Sequence, residues 1–274
     1  MNGNSQPVGT LLRTWRDRRR RSQLDVALAA GLSTRHLSYV ETGRSTPSRQ
    51  MIERLCEELD VPLRERNPLY LAAGYAPVHQ ERAFDDLGTA RAAVSAVLTG
   101  HEPHPALAVN VRWELLAANR AAAPFFDGVS PELTRPPVNV LRATLHPKGL
   151  APRIRNLSEW RTHVLRRVRR QLDRTRAPGL ADLLAELQSY PTPGMVDAAP
   201  GERHRTHDLA VPLHLSSDDG DLALLYTTMV FGSPRDVTLD EIAIETFFPA
   251  DARTAGLLGQ TLNLKSTTSP SAIT

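Results

Sequence analysis

Cysteine is almost absent from this 274-residue chain, which has only Cys56. A single thiol closes no disulfide within the chain, so the fold must rest on an apolar core, and a reducing cytoplasm is the expected compartment. Cys56 has no C-x-x-C partner and falls in a predicted helix, which reads as a buried thiol rather than a nucleophile. Aromatic residues make up only 5% of the chain. No apolar run approaches the length of a membrane span, and the opening MNGNSQPVGT has no apolar stretch of signal-peptide length. The glycines form neither G-x-x-x-x-G-K-S/T nor G-x-G-x-x-G, so no phosphate-cradling loop is predicted. Lysine is scarce too: of 33 basic residues only Lys148 and Lys265 are lysines, a bias that with abundant alanine points to a GC-rich genome.

What is present suffices for two domains. The hydrophobic content of 41% is ordinary for a globular protein. The net charge of +3 is small, but residues 1–80 carry 12 Arg against 8 Asp and Glu, and residues 1–35 carry 7 against 2. Arg16, Arg18, Arg19, Arg20 and Arg21 crowd the end of the first predicted helix. A basic front end is what phosphate contact needs, and a solvated arginine-rich helix end is the structural alternative.

The densest pattern is Ser22 to Arg44, SQLDVALAAGLSTRHLSYVETGR. It predicts two short helices joined by a tight turn. Ser22 N-caps the first helix, and Leu24 and Leu28 give it an apolar edge. Gly31 ends it, because glycine takes the left-handed conformation without steric cost. Ser33 caps the second helix, whose inner face carries Leu37 and Val40. Counting from Gln23, the small Ala27 lies four on, Gly31 eight on, and Leu37 and Val40 fourteen and seventeen on. Two helices crossing steeply need a small residue where the backbones meet, a glycine at the corner and an apolar pair to pin the second helix. That is helix-turn-helix spacing. Glu41-Thr42-Gly43-Arg44 and Pro47-Ser48 follow, and residues 8–75 as a whole resemble the XRE family of lambda-repressor-like regulators. The resemblance implies an N-terminal all-α, five-helix lambda-repressor-like DNA-binding domain over residues 1–78, with Thr34–Glu41 lying in the major groove.

The flanking helices are predicted over Val8–Arg19, with Leu11, Leu12 and Trp15 inward, from Ser48 to Asp60, and over Leu63–Ala73. On the recognition helix Thr34, Arg35, Ser38 and Tyr39 should face DNA, and Arg35 is the base-reading candidate because a guanidinium forks onto guanine O6 and N7. His36 is either a DNA contact or a structural histidine. Gln23, Ser33, Ser48 and Arg49 stand at helix starts, where free backbone N–H groups suit phosphate, and Arg44 in the following loop is a further phosphate candidate. Glu41, an acid at a helix C-terminus, should bond a neighbouring arginine or backbone N–H. A homodimer on a palindromic operator is the expected assembly.

A linker and connecting helix over 79–98 lead to a different kind of sequence. Ala106–Asn110 and Trp113–Ala118 read as a hairpin, and Asn119 as the cap of a short helix cut by Pro124. Helices are predicted over Ser158–Arg174 and Leu180–Gln188. A half-buried strand is predicted over Asp208–Leu215, where Pro212 favours an edge, and a central strand over Leu222–Phe231. This order is that of an α/β PAS-like fold with an antiparallel sheet. The residues PALAVNVRWELLAANRAAAPFF, VNVLRATLHPKGLAPRIRNLSEW and the strand pair at 208–231 resemble the MmyB-like ligand-binding domain that follows an XRE-type helix-turn-helix in actinobacterial regulators. The resemblance implies a ligand-binding and dimerisation domain over 99–263, before a disordered tail over 264–274. It also implies a pocket for a fatty acid or another small apolar effector, and no cofactor. Candidate walls are Trp113, Phe125, Phe126 and Trp160, residue types that are more often core than ligand wall. Arg153, Arg155 and His163 are candidate anchors for an anionic head group. Arg166, Arg167, Arg169 and Arg170 read as the solvated face of an amphipathic helix.

An enzyme is not expected, although one alternative stays open: a metal-dependent hydrolase with an appended DNA-binding module. Its support is His204, His207 and Asp208. The segment runs into a predicted strand, where residues three apart point to opposite faces, so no metal site is expected. His101, His104 and His146 lie beside prolines in loops and read as surface residues.

Overall fold

The structure, a computed structural model, describes residues 6–191, 211–232, 234 and 236–266. In chain order they form α1 (Val8–Arg18), α2 (Gln23–Ala29), α3 (Thr34–Glu41), α4 (Arg49–Glu58), α5 (Leu63–Ala72), α6 (Thr89–Gly100), β1 (Ala106–Val109), β2 (Leu115–Ala118), α7 (Val140–Leu145), α8 (Leu157–Thr175), α9 (Leu180–Ser189), β3 (Leu213–Ser217), β4 (Gly220–Val230), α10 (Val237–Glu241), β5 (Ala243–Pro249) and α11 (Ala252–Ser266). Contacts divide the chain into two compact units: Met1–Ala83 with Gly232–Asp240, and Phe84–Phe231 with Glu241–Thr274.

In the first unit α1 to α5 close around Leu12, Trp15, Val26, Leu37, Val40, Ile52 and Leu55, all buried. The corner at Gly31 forms for the reason the sequence implied. Gly31 takes φ +67°, and Leu32 N–H then reaches back to the Ala27 carbonyl at 2.8 Å, which satisfies a carbonyl left open at the helix end. Ser22 and Asp25 form a reciprocal capping box on α2. Gly9 lets α1 approach the end of α3 closely: a Cβ there would lie 2.2 Å from the Val40 carbonyl oxygen and 2.8 Å from that of Glu41.

One expectation for α2 fails. Leu24 and Leu28 are 55% and 70% exposed, and the buried stripe is Val26, Ala27 and Ala30. Ala27 sits at the helix crossing, and a face turned to put it there carries Leu24 and Leu28 outward. Gly232–Asp240, the chain between β4 and β5, completes this unit. There the Asp236 carboxylate accepts from Arg82 Nε at 2.9 Å, and Asp240 accepts from the Leu63 N–H at 3.3 Å.

The second unit is α/β and PAS-like. Its five-stranded sheet has the order β2-β1-β5-β4-β3, with every neighbouring pair antiparallel. The register sets Leu107 opposite Glu245, Thr228 opposite Glu245 and Tyr226 opposite Phe247. Since side chains alternate along a strand, these residues share one face with Val109, Leu213, Leu215, Leu222 and Leu224. That face and α7, α8 and α9 hold the main core.

β3 is an edge strand, and Pro212 stands just before it. The expected strand start at Asp208 lies outside the described residues. The outer edge of β3 is blunted by the chain before α8: Arg155 N–H donates to the His214 carbonyl at 2.9 Å, and His214 N–H donates to Asn156 Oδ1 at 3.1 Å. Asn119 does not cap a helix. Its amide accepts from Ala106 N–H and donates to the Leu98 and His104 carbonyls, which holds it in the interior rather than at a helix start. The residues after it form a 3-10 turn, Arg120–Phe125. The sequence reading contained neither β5 nor α11, and α11 runs to Ser266, into the tail expected to be disordered from 264 on.

Candidate functional site

The first candidate surface is α3 and the elements beside it. Ser33 caps α3 by accepting from His36 N–H at 3.2 Å. Leu37 and Val40 are buried, Arg35 is exposed, and Thr34, His36, Ser38 and Tyr39 are half-exposed. Arg35 Nε donates to the Tyr39 hydroxyl at 2.9 Å, with its guanidinium 5.3 Å from the ring centre. The Arg44 guanidinium stands 5.8 Å from the same ring. Two cations therefore flank one tyrosine along the exposed edge, with Arg35 Nε tied to its hydroxyl. Ser48 caps α4 on Met51 N–H, and Arg49 beside it lies over Tyr70 and Tyr75 at 5.9 and 5.6 Å.

Two readings of this surface need correction. Gln23 does not point its amide outward: Nε2 donates to Glu41 at 2.7 Å. Arg16 grips the same carboxylate through Nε at 2.7 Å and NH2 at 3.0 Å, so Glu41 ties α1, α2 and the end of α3 together. Arg18, Arg19 and Arg21 at the end of α1 are likewise engaged within the unit. Arg19 donates to the Leu59 and Asp60 carbonyls, Arg21 to the Glu58 and Asp25 carbonyls, and Arg18 packs 4.6 Å over Trp15. The last carbonyls of α4 and the ring of α1 leave acceptors that nearby guanidinium groups satisfy.

The second candidate site is a cavity of about 60 Å³ on the α8-facing side of the sheet, open to solvent. Trp113, Phe125, Phe126, Trp160 and His163 all line it, together with Leu107, Val140, Tyr226 and Phe247. Phe125 and Phe247 meet edge to face at 4.8 Å, and Trp160 and His163 stack at 5.4 Å. Arg153 and Arg155 are not among the lining residues. Arg153 donates to the Ser216 and Asp127 carbonyls, and exposed Arg155 pairs with Asp221.

The sequence reading missed the cavity's charged pair. Arg167, placed there on the solvated face of α8, turns inward and forks onto Glu245, NH1 to Oε2 and NH2 to Oε1, both at 2.8 Å. Its guanidinium lies between Trp113 and Tyr226, 4.5 and 4.9 Å from their ring centres. A spacing of seven from Trp160 returns a helical residue to the same face, and that signal was legible. Glu245 is 2% exposed. Burial holds its carboxyl above the usual carboxylate range, and the attraction of Arg167 offsets only part of that. His163 is held below the usual imidazole range, by burial first and then by Arg167, Arg166 and Arg170.

Among the described residues no three His, Cys, Asp or Glu come close enough to hold a metal ion. His204, His207 and Asp208 lie outside the described residues. Cys56 is buried, and desolvation pushes its thiol up to about 12. No helix among the described residues is long and apolar enough to cross a membrane.

Comparison with known proteins places both units. A helix-turn-helix domain model matches residues 7–69, and the model of the MmyB-like transcription regulator ligand binding domain matches residues 90–260. No curated protein matches the chain. Among solved structures an RNA-binding light-oxygen-voltage receptor is similar at 12% identity and a TM-score of 0.27, over 96% of this chain and 63% of that one, so the chain spans less than two thirds of the receptor. With one match spanning more than half of its length and the other covering the helices before it, the chain belongs to the family defined by the MmyB-like transcription regulator ligand binding domain, here preceded by a helix-turn-helix domain.

Proposed function

We propose that this protein is a sequence-specific, DNA-binding transcription regulator of the cytoplasm whose C-terminal cavity takes a small, largely apolar effector. The observation that carries the reading is the pairing, in one chain, of a capped helix with Arg35 and Tyr39 on its exposed edge and Arg44 just after it with an apolar cavity in a ligand-binding unit. Arg35 reads a base edge, Thr34, His36 and Ser38 stand beside it, and Arg44, Arg49 and the capped helix starts at Ser33 and Ser48 hold phosphates. Gln23 serves the interior through Glu41. The protein acts as a homodimer on a palindromic operator.

The effector works by differential affinity for two arrangements of the cavity unit. β4 and β5 supply Tyr226, Glu245 and Phe247 to the cavity, and the chain that joins those strands is part of the helical unit, which makes it the shortest covalent route from effector to DNA. Selection from random duplexes with the full-length protein tests the reading. A two-fold symmetric sequence should be enriched, and its binding should weaken steeply as salt rises, because several guanidinium groups displace counterions. Retention without enrichment and without salt dependence would overturn it.

A further inference from the structure

We infer that the exposed face of α8 is a second nucleic-acid contact: Arg166, Arg170 and Arg174, with Arg169 beside them, hold phosphates of duplex DNA without reading its sequence. The inference rests on the DNA-binding reading above for the identity of the polyanion, and adds a contact outside the helical unit.

The first observation is a set of cations without partners. α8 buries Trp160, Val164 and Val168 and turns Arg167 in to Glu245, while Arg166, Arg169, Arg170 and Arg174 are exposed. At 3.6 residues per turn the four fall within about 140° of the helix circumference. Positions 166, 170 and 174 follow at intervals of four, so they form one ridge about 12 Å long. Among the described residues none of the four makes a hydrogen bond or an ion pair. Other exposed arginines of this unit are matched one by one: Arg112 with Glu114, Arg120 with Glu102, Arg142 with Glu186 and Arg155 with Asp221. The helix dipole accounts for Arg174, in the last turn, but not for the three arginines nearer the middle.

The second observation is the charge this leaves. The acids on the exposed side of α8 are Glu159, which accepts from Asn156 Nδ2, and Asp173. Cations three and four residues apart on a helix repel one another, so the ridge carries a positive potential that its own unit does not discharge. The neighbouring His163 registers it: burial first, then Arg167, Arg166 and Arg170, hold its imidazole below the usual range. A row of fixed guanidinium forks complements a row of fixed phosphates, whose oxygens each fork can take two at a time. Every exposed residue of α8 is polar, so the ridge has no apolar rim with which to enter a lipid surface. Duplex DNA is the polyanion that the helical unit already recruits.

The test is the salt dependence of full-length protein binding to a duplex of mixed sequence several helical turns long, read by fluorescence anisotropy. Arg166→Gln/Arg170→Gln/Arg174→Gln should lower the slope of log K against log salt by about 2 to 3, near 0.9 per phosphate contact, and weaken low-salt binding at least about tenfold. Arg166→Lys/Arg170→Lys/Arg174→Lys keeps the charge and should keep the parent's slope. Arg170→Gln alone should lower the slope by about 0.9, and supplies the readout if the triple glutamine variant does not fold. An unchanged slope in both glutamine variants, or no binding of any duplex by the parent, would overturn the inference. So would phosphatidylserine vesicles that bind the parent and not the glutamine variant while the duplex slope stays the same. Operator selection separates this inference from the reading it rests on. A slope lowered by the glutamine variant in a protein that prefers no sequence keeps the α8 contact and sinks the sequence-specific reading. An enriched operator whose salt slope the glutamine variants leave unchanged does the reverse.

Discussion

The Arg167–Glu245 pair should respond very unequally to loss of its two members. The Glu245 side chain is 3% exposed and that of Arg167 is 26% exposed. Unit charges about 4 Å apart attract by roughly 4 kcal/mol at an effective dielectric near 20. Yet the Glu245 carboxyl stays above its usual range, so its desolvation outweighs that attraction. Glu245→Gln resembles the protonated acid. It leaves Arg167 partly in water and over two aromatic rings, and should change the stability of this unit at pH 7.5 by less than about 1 kcal/mol. Arg167→Met leaves a carboxylate in a dry site and should cost about 2–4 kcal/mol at the same pH, limited by the option of taking up a proton.

The sign with pH follows from the raised value. A carboxyl that binds its proton more tightly in the folded chain contributes most below its unfolded value, and that contribution is lost as pH rises through its folded value. The cost of Arg167→Met should therefore shrink as pH falls toward about 4.5, and the double variant Arg167→Met/Glu245→Leu should match or exceed the parent. Urea unfolding at pH 7.5 and pH 5, following the α/β unit, measures all of this. Equal costs for the two single variants at pH 7.5, or a cost for Arg167→Met that does not move with pH, would refute the reasoning.

Other outcomes follow from single contacts. Gly9→Ala should destabilise the helical unit by at least about 1–3 kcal/mol, seen as a lowered thermal midpoint, because its Cβ would run into the Val40 carbonyl. Leu28→Glu, on the exposed face of α2, should stay within about 0.5 kcal/mol of the parent in the same assay, whereas Val26→Ala, fully buried, should cost several times that. Arg35→Ala should abolish operator preference in a mobility-shift series, and Arg44→Ala should weaken all duplexes alike. Tyr39→Phe should weaken the operator preference by part of the Arg35 effect, since it removes the 2.9 Å bond that holds the guanidinium in place. Arg20→Gly should raise stability by about 0.5 kcal/mol: Arg20 sits at φ +53°, and the relief of strain exceeds what glycine costs in the unfolded chain.

Much of the helical unit was legible because its signals are local. A serine before a helix, a glycine at a corner and an apolar pair three apart act through bonds within one or two turns. Ser22, Ser33 and Ser48 cap the helices as their positions implied. The fate of the arginines was not legible. Arg16, Arg19 and Arg21 look alike in sequence to any phosphate-binding cluster, and only the arrival of α3 and α4 beside α1 supplies Glu41 and the carbonyls they bind. The turn of α2 was misjudged for a related reason. Two leucines four apart suggest an inner edge, but the tight approach at Ala27 decided which face went inward.

In the α/β unit the aromatic walls were readable from residue type and the face of Arg167 from its spacing to Trp160, whereas its pairing with Glu245 was not. Glu245 lies in β5 and Arg167 in α8, 78 residues apart. What the sequence determined by itself is the kind of most elements and the order of the two units, because periodicity, caps and turn residues act on neighbours along the chain. What only the tertiary structure decided is which polar groups meet inside. It took Arg167 out of a run of arginines to neutralise Glu245, and it left the indole N–H of Trp160 without an acceptor. The reason is that desolvation and the match of donors to acceptors are set by contacts between distant segments, which no local pattern encodes.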